Sequence, residues 1–240
     1  MDKKSIDTIM SINPFKPLND IIYEIILDEI LKLKLLPGDK LVESTIAESL
    51  NISRTTVNYA LKRLSEDGLV TDSKGKVSFV SELDSKDYYN VCYTRAGLET
   101  SSASLAAIRI TDEELGNLCK LLNNIHNMYK KRDFFGILKA ETDFHNYVVQ
   151  CSHNKYSIKA YAQIKVAIHR YMTFFIKDSF FDNDYYKNEH AAIYYSIKSK
   201  DSSIAGATMK AHLKRTFLIS EDTFSKRYYS TIEYINNKGV

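Results

Sequence analysis

Residues 41–80 read LVESTIAESL, NIS, RTTVNYALKRLSEDGLV and TDSKGKVSFV in succession. In the first block Ile46, Ala47 and Leu50 fall on one face of a short helix. Asn51-Ile52-Ser53 is a polar break. In the third block Val57, Ala60, Leu61 and Leu64 recur at intervals of three and four, the period of an amphipathic helix. Gly68 supplies the left-handed residue that ends it. Leu69–Asp72 and Val77–Val80 then form a hairpin around a turn at Ser73-Lys74-Gly75-Lys76. Helix, three-residue turn, helix and β-wing are the order of a winged helix-turn-helix.

The polar residues of this stretch suit a nucleic-acid duplex. Ser53 is placed to cap the second helix. Arg54, Thr55, Thr56 and Asn58 crowd its first turn and a half, the part of such a helix that meets base edges. Arginine forks onto guanine and asparagine onto adenine, while threonine bonds phosphate or packs on a thymine methyl. Lys74 and Lys76 flank Gly75 at the wing tip, where backbone can approach a phosphate or the minor groove. The competing reading is an ordinary helical hairpin with solvated polar residues.

Residues 18–81 resemble the DNA-binding domain of the GntR family of transcription regulators. The matching features are LLPGDKL (35–41), E-x-x-x-A (43–47), L-x-I-S-R-T-x-V (50–57), A-L-x-x-L-x-x-D-G-L-V (60–70) and the Gly-Lys wing. The resemblance places DNA contacts on Arg54, Thr55, Thr56, Lys74 and Gly75. Ser44 and Asn58 stand where many members carry arginine, so Asn58 brings different chemistry to a contact position.

Charge qualifies that reading. The chain of 240 residues has a formal net charge of only +3. Basic residues of the reader concentrate late, as Arg54, Lys62, Arg63, Lys74 and Lys76 against Glu66, Asp67 and Asp72. Phosphate affinity needs a local positive face, so affinity per protomer is expected to be modest and dimerisation to add to it. Cys92, Cys119 and Cys151 are too few and scattered for a disulfide framework or a cysteine-rich zinc site. The first residues lack the apolar core of a secretion signal, and no apolar run reaches about 18 residues, so neither export nor membrane insertion is expected.

The hydrophobic pattern divides the chain into a flexible arm (1–17), the winged helix (18–81), a linker (82–86), a helical domain (87–224) and a polar tail (225–240). Helix one covers 18–34, with Ile21, Ile22, Ile25, Ile26, Ile30 and Leu33 apolar. Beyond the linker, helical patterns cover 86–107, 111–131, 134–152, 155–178, 182–199 and 201–224, with Thr111 and Asp201 as caps. Short connections between such helices make an antiparallel bundle. The expected fold is therefore mostly α, a winged helix-turn-helix followed by an all-α bundle.

Within the bundle, His145 follows Glu141 by four and shares its helix face. His190 and His212 lie on two later helices. Three imidazoles and a carboxylate from three helices suit a divalent transition metal, with coordination positions left for water or a ligand carboxylate. A glutamate–histidine pair four apart is also an ordinary helix contact. His126, His153 and His169 lack a partner at helical spacing.

Residues 86–224 resemble the FCD effector domain of the FadR-like GntR branch. The matches are R-x-x-L-E (Arg95 to Glu99), Phe144-His145 followed by S-x-N (152–154), Glu189-His190, and A-x-x-x-M-x-x-H-L (205–213). The resemblance implies a metal (zinc, nickel or manganese, one per chain) held by Glu141, His145, His190 and His212. Glu141 stands at the family's aspartate position, and Asp143, on another face of the helix, is the nearest alternative acid. Arg95 matches an arginine that faces the effector pocket; alternatively it pairs with Glu99 one turn on. The expectation is a cytoplasmic, nucleoid-associated homodimeric repressor that binds a palindromic operator and answers to a small carboxylate. The rivals are a metal-free regulator sensing an apolar or acyl ligand, with Phe174, Phe175, Phe180 and Phe181 as its lining, and a metal-dependent hydrolase.

Overall fold

A computed structural model describes the backbone of residues 3–72, 77–175, 184–214 and 221–238. It divides the chain into two compact units, residues 1–83 with 232–240, and residues 84–231.

In the first unit, α2 (Leu18–Leu31), α3 (Glu43–Leu50) and α4 (Arg54–Glu66) enclose an apolar core. Ile21, Ile22, Ile26, Leu50, Val57 and Leu64 have essentially no exposed surface. Gly38 (φ +85°) and Gly68 (φ +72°) occupy the left-handed region, Gly38 in the turn that follows α2 and Gly68 after α4. Asn51 closes α3 at φ +54°, where its short polar side chain tolerates that conformation. The sheet has three antiparallel strands in the order β1-β3-β2, from β1 (Lys40–Val42), β2 (Val70–Asp72) and β3 (Val77–Val80).

Two expectations for this unit are corrected. Leu41 and Val42 do not begin a helix; they form β1, with Leu41 facing Ser78 and Val42 facing Val77. The partner strand lies more than thirty residues away, beyond the reach of local periodicity. The arm expected at 1–17 contains helix α1 (Lys3–Ile12). Ile6 is buried on it, and that apolar contact favours helix over a solvated chain.

The second unit is the helical bundle: α5 (Ser85–Arg109), α6 (Asp112–Lys131), α7 (Phe134–Cys151), α8 (Lys155–Phe175), α9 (Asp184–Lys198), α10 (Ser202–Lys214) and the first turns of α11 (Glu221–Lys238). Caps set its joints. Thr111 and Glu114 make a reciprocal capping box on α6. Asp133 accepts from Gly136 N–H on α7, and Asp201 accepts from Ile204 N–H on α10 at 2.9 Å. Arg132, His153 and Lys200 take left-handed conformations at the turns. Ala103, Ala106, Leu118, Ile125, Phe144, Val148, Ile193, Ile197 and Met209 form one continuous core.

The α5–α10 contact is close because its residues are small. A Cβ at Gly206 would sit 2.2 Å from Ser104 Oγ, and Ala103, Ala106, Ala107 and Ala205 are fully buried. This proximity brings the end of α10 over the bundle interior.

The tail expected from 225 is instead part of α11. Phe224 and Thr231 on it are buried, and Thr231 Oγ1 donates to the Phe174 carbonyl at 3.2 Å. Phe224, Tyr228 and Thr231 recur at helical spacing, a stripe submerged in an otherwise polar composition. Phe180 and Phe181 lie outside the described residues.

Candidate functional site

The first site is the exposed face of α4. Ser53 Oγ accepts from Thr56 N–H at 3.1 Å and lies 2.8 Å from Thr56 Oγ1. The cap fixes where the helix begins. With Val57 and Ala60 buried, Arg54, Thr55 and Asn58 are left facing solvent. Lys74, Gly75 and Lys76 lie outside the described residues.

Three features here are not visible from the sequence. Asn58 Nδ2 donates to Glu43 Oε1 at 2.6 Å, so α3 orients the amide that α4 presents. Arg63 is not a free phosphate ligand: it bonds Asp20 at 2.7 Å and stacks 4.0 Å above the Tyr23 ring. Tyr59, 54% exposed, adds an aromatic group beside Asn58.

The second site is buried in the bundle. His145 from α7, His190 from α9 and His212 from α10 bring ring nitrogens within 4.8 Å of one another. His145 Nε2 is 3.3 Å from His190 Nε2 and 3.2 Å from His212 Nε2. The His145 and His212 rings stack at 20°, and the edge-to-face ring of Phe144 walls the cluster.

Carboxylates stand behind two of these rings. Glu99 Oε2 is 2.5 Å from His145 Nδ1 and Glu189 Oε2 is 2.7 Å from His212 Nδ1. Arg95 Nε donates to Glu99 Oε1 at 2.6 Å. Burial alone would raise Glu99, but the Arg95 charge and His145 outweigh it and hold the carboxyl down at about 2. Burial lowers His145 despite the attraction of Glu99. It also lowers His212 strongly, with repulsion from the neighbouring His190, His145 and Arg95 acting in the same direction. The arrangement is therefore an ionised Glu99 accepting from a neutral imidazole. Tyr161, also buried, is pushed well above the usual phenol range by burial and by the Glu99 charge.

Of the expected donors, the structure brings together the three histidines and leaves Glu141 aside. Its Oε1 accepts from Tyr129 O–H at 3.0 Å, and it is not among the clustered donors. Burial pushes Glu141 up to about 7, the Tyr129 hydrogen bond only partly opposing this. The tyrosine on α6, twelve residues away, gives the longer glutamate arm a different partner. Arg95 takes the ion-pair alternative through Nε. Glu99 and Glu189 sit in the quoted motifs, but only the packing of α5 on α7, and of α9 on α10, reveals which ring each supports.

The donor set fits a transition metal. Imidazole is a good ligand for zinc, copper, iron and nickel. A tetrahedral ion about 2.0–2.1 Å from each nitrogen sets neighbouring nitrogens about 3.3 Å apart, which the two spacings from His145 Nε2, 3.2 and 3.3 Å, match.

Comparison with known proteins agrees with both halves. Residues 18–80 match the family "Bacterial regulatory proteins, gntR family", and residues 90–215 match the FCD domain. The chain is 23% identical over 205 residues to the HTH-type transcriptional repressor RspR of Escherichia coli, covering 85% of this chain and 89% of that one. It is 27% identical over 194 residues to the Uxu operon regulator of Haemophilus influenzae, covering 74% and 72%. Among solved structures, E. coli McbR/YncC shares the fold at a TM-score of 0.76 and 18% identity, over 89% of this chain and all of that one. No described helix is long and apolar enough to cross a membrane.

Proposed function

This chain belongs to the GntR family of bacterial transcription regulators and carries the FCD domain, and from that premise we propose that it is a homodimeric repressor whose hold on a palindromic operator is set by a small carboxylate bound at a metal centre. It is a DNA-binding regulator rather than an enzyme, which removes the hydrolase alternative.

In this reading α4 enters the major groove. Arg54 reads guanine, Asn58 reads adenine with its amide steadied by Glu43, and Thr55 and Thr56 contact backbone or a thymine methyl. Ser53 fixes the helix start, and Lys74, Gly75 and Lys76 are assigned to the wing contact with phosphate. A two-fold dimer suits a palindromic site because half-site spacing mirrors protein spacing. Repression is supported by the name of the relative RspR.

The observation that carries the effector reading is the convergence of ring nitrogens from three histidines in the bundle interior. His145, His190 and His212 would hold a zinc or nickel ion rather than manganese, which favours oxygen donors, and that ion would supply an electrophilic anchor for a ligand carboxylate. Helices α7, α9 and α10 keep these nitrogens in place. Glu99 takes the Nε edge of Arg95, and the other edge of the guanidinium is assigned to the effector. A shift of the bundle then changes the separation of the two reader domains. Operator and effector must weaken each other by the same factor.

Elemental analysis of protein purified without chelator or affinity tag is the test. The expected result is about one equivalent of metal per chain in the wild type and none in His190→Ala, with DNA binding by the metal-free protein retained. A full equivalent in His190→Ala would overturn the site.

A further inference from the structure

We propose that Glu99 and Glu189 are positioning residues that hold Nδ1 of His145 and of His212, so that both rings turn Nε2 toward one shared cation, with Arg95 anchoring the chain through Glu99. This rests on the metal reading of the histidine cluster and says how the fold builds that centre.

The geometry carries it. Each of these two imidazoles makes two kinds of contact. Nδ1 meets a carboxylate at 2.5 Å in His145 and 2.7 Å in His212, and Nε2 meets the other imidazole at 3.2 Å. An ionised carboxylate accepts and does not donate, so with both glutamates ionised the ring proton belongs on Nδ1 and the lone pair on Nε2. Two neutral rings with lone pairs facing each other gain nothing from that proximity by themselves. A cation between them reconciles the approach. A carboxylate behind a ligating histidine fixes its tautomer and ring orientation and raises its basicity.

The supports are themselves supported. Glu99 has no exposed surface and lies one helical turn from Arg95 on α5, which neutralises its charge at 2.6 Å. Glu189 precedes the ligand His190 on α9, so one helix supplies both a nitrogen and the carboxylate behind the neighbouring ring on α10. The sequence Glu189-His190 thus serves two ligands at once. A purely structural role would need no common orientation; here both carboxylates hold the same ring atom.

Two measurements on the whole chain of 240 residues test this. In metal-free wild type labelled with ¹⁵N, long-range proton–nitrogen correlations at pH 8 are expected to show the Nδ1–H tautomer at His145 and His212. An Nε2–H tautomer at either would overturn the assignment for that ring. In zinc titrations against a competing chelator, Glu99→Gln and Glu189→Gln are each expected to weaken binding about 10- to 100-fold, while exposed Glu113→Gln leaves it unchanged. Glu189→Gln, which leaves the Arg95–Glu99 pair intact, keeps the test decisive if Glu99→Gln folds poorly. Wild-type protein that binds zinc, with both variants matching it, would overturn the positioning role alone. Wild-type protein that takes up no zinc would overturn the metal reading and this role with it.

Discussion

The two sites are built in opposite ways. On α4 the functional side chains are exposed, while the apolar residues between them form the core of the reader unit. In the bundle the functional side chains are themselves buried: Glu99 is 0%, His145 1% and His190 2% exposed. A surface reader can change its polar residues at little cost to the fold, which suits a site that must match one DNA sequence. A buried polar site is part of the packing, and each group must be satisfied or it destabilises the whole.

The sharpest way to break this contrast is at Glu99. Glu99→Ala should destabilise the metal-free protein by about 3–5 kcal/mol, because Arg95 is left as an uncompensated buried charge. Denaturant unfolding measures it, and a loss comparable to that of an exposed residue would remove the distinction. Gly206→Val comes next. Its side chain meets Ser104 and must push α10 from α5, costing about 1–3 kcal/mol as overpacking. Moving His212 with α10 should also weaken zinc binding, measurable by chelator competition.

Arg54→Ala should show the converse. Thermal stability should stay within about 0.5 kcal/mol, whereas preference for DNA selected by the wild type over random DNA should fall by about 1–3 kcal/mol. Fluorescence anisotropy on both DNAs checks this.

Glu141→Gln tests whether burial penalises the carboxylate in the metal-free state. A carboxyl raised to about 7 is more easily ionised in the unfolded chain. The native wild type therefore loses stability as pH rises from about 4.5 through about 7. The variant should match wild type below that window and exceed it above, by about 1–3 kcal/mol. A variant less stable at pH 8 would show that the Tyr129 contact outweighs desolvation. Smallest is Ser53→Ala, which removes the α4 cap at a cost of about 1 kcal/mol; unchanged unfolding would mean that the cap adds little.

Much of this was legible along the chain. The spacing of Val57, Ala60, Leu61 and Leu64 placed α4, and Ser53, Thr111 and Asp201 announced their caps, because helix period and capping are properties of neighbours in sequence. The same locality explains the misses. β1 depends on a strand more than thirty residues later, and α11 on an apolar stripe that needs Phe174 to cover it.

The sequence by itself determined a winged helix followed by a helical domain, the family and the three histidines. Only the tertiary structure decided which groups meet. The packing of α5, α7, α9 and α10 joined Arg95 to Glu99, Glu99 to His145 and Glu189 to His212, and Tyr129 drew Glu141 away from the cluster. Periodicity reports the face a residue occupies, whereas a buried polar contact depends on angstrom-scale distances between helices that no local pattern encodes.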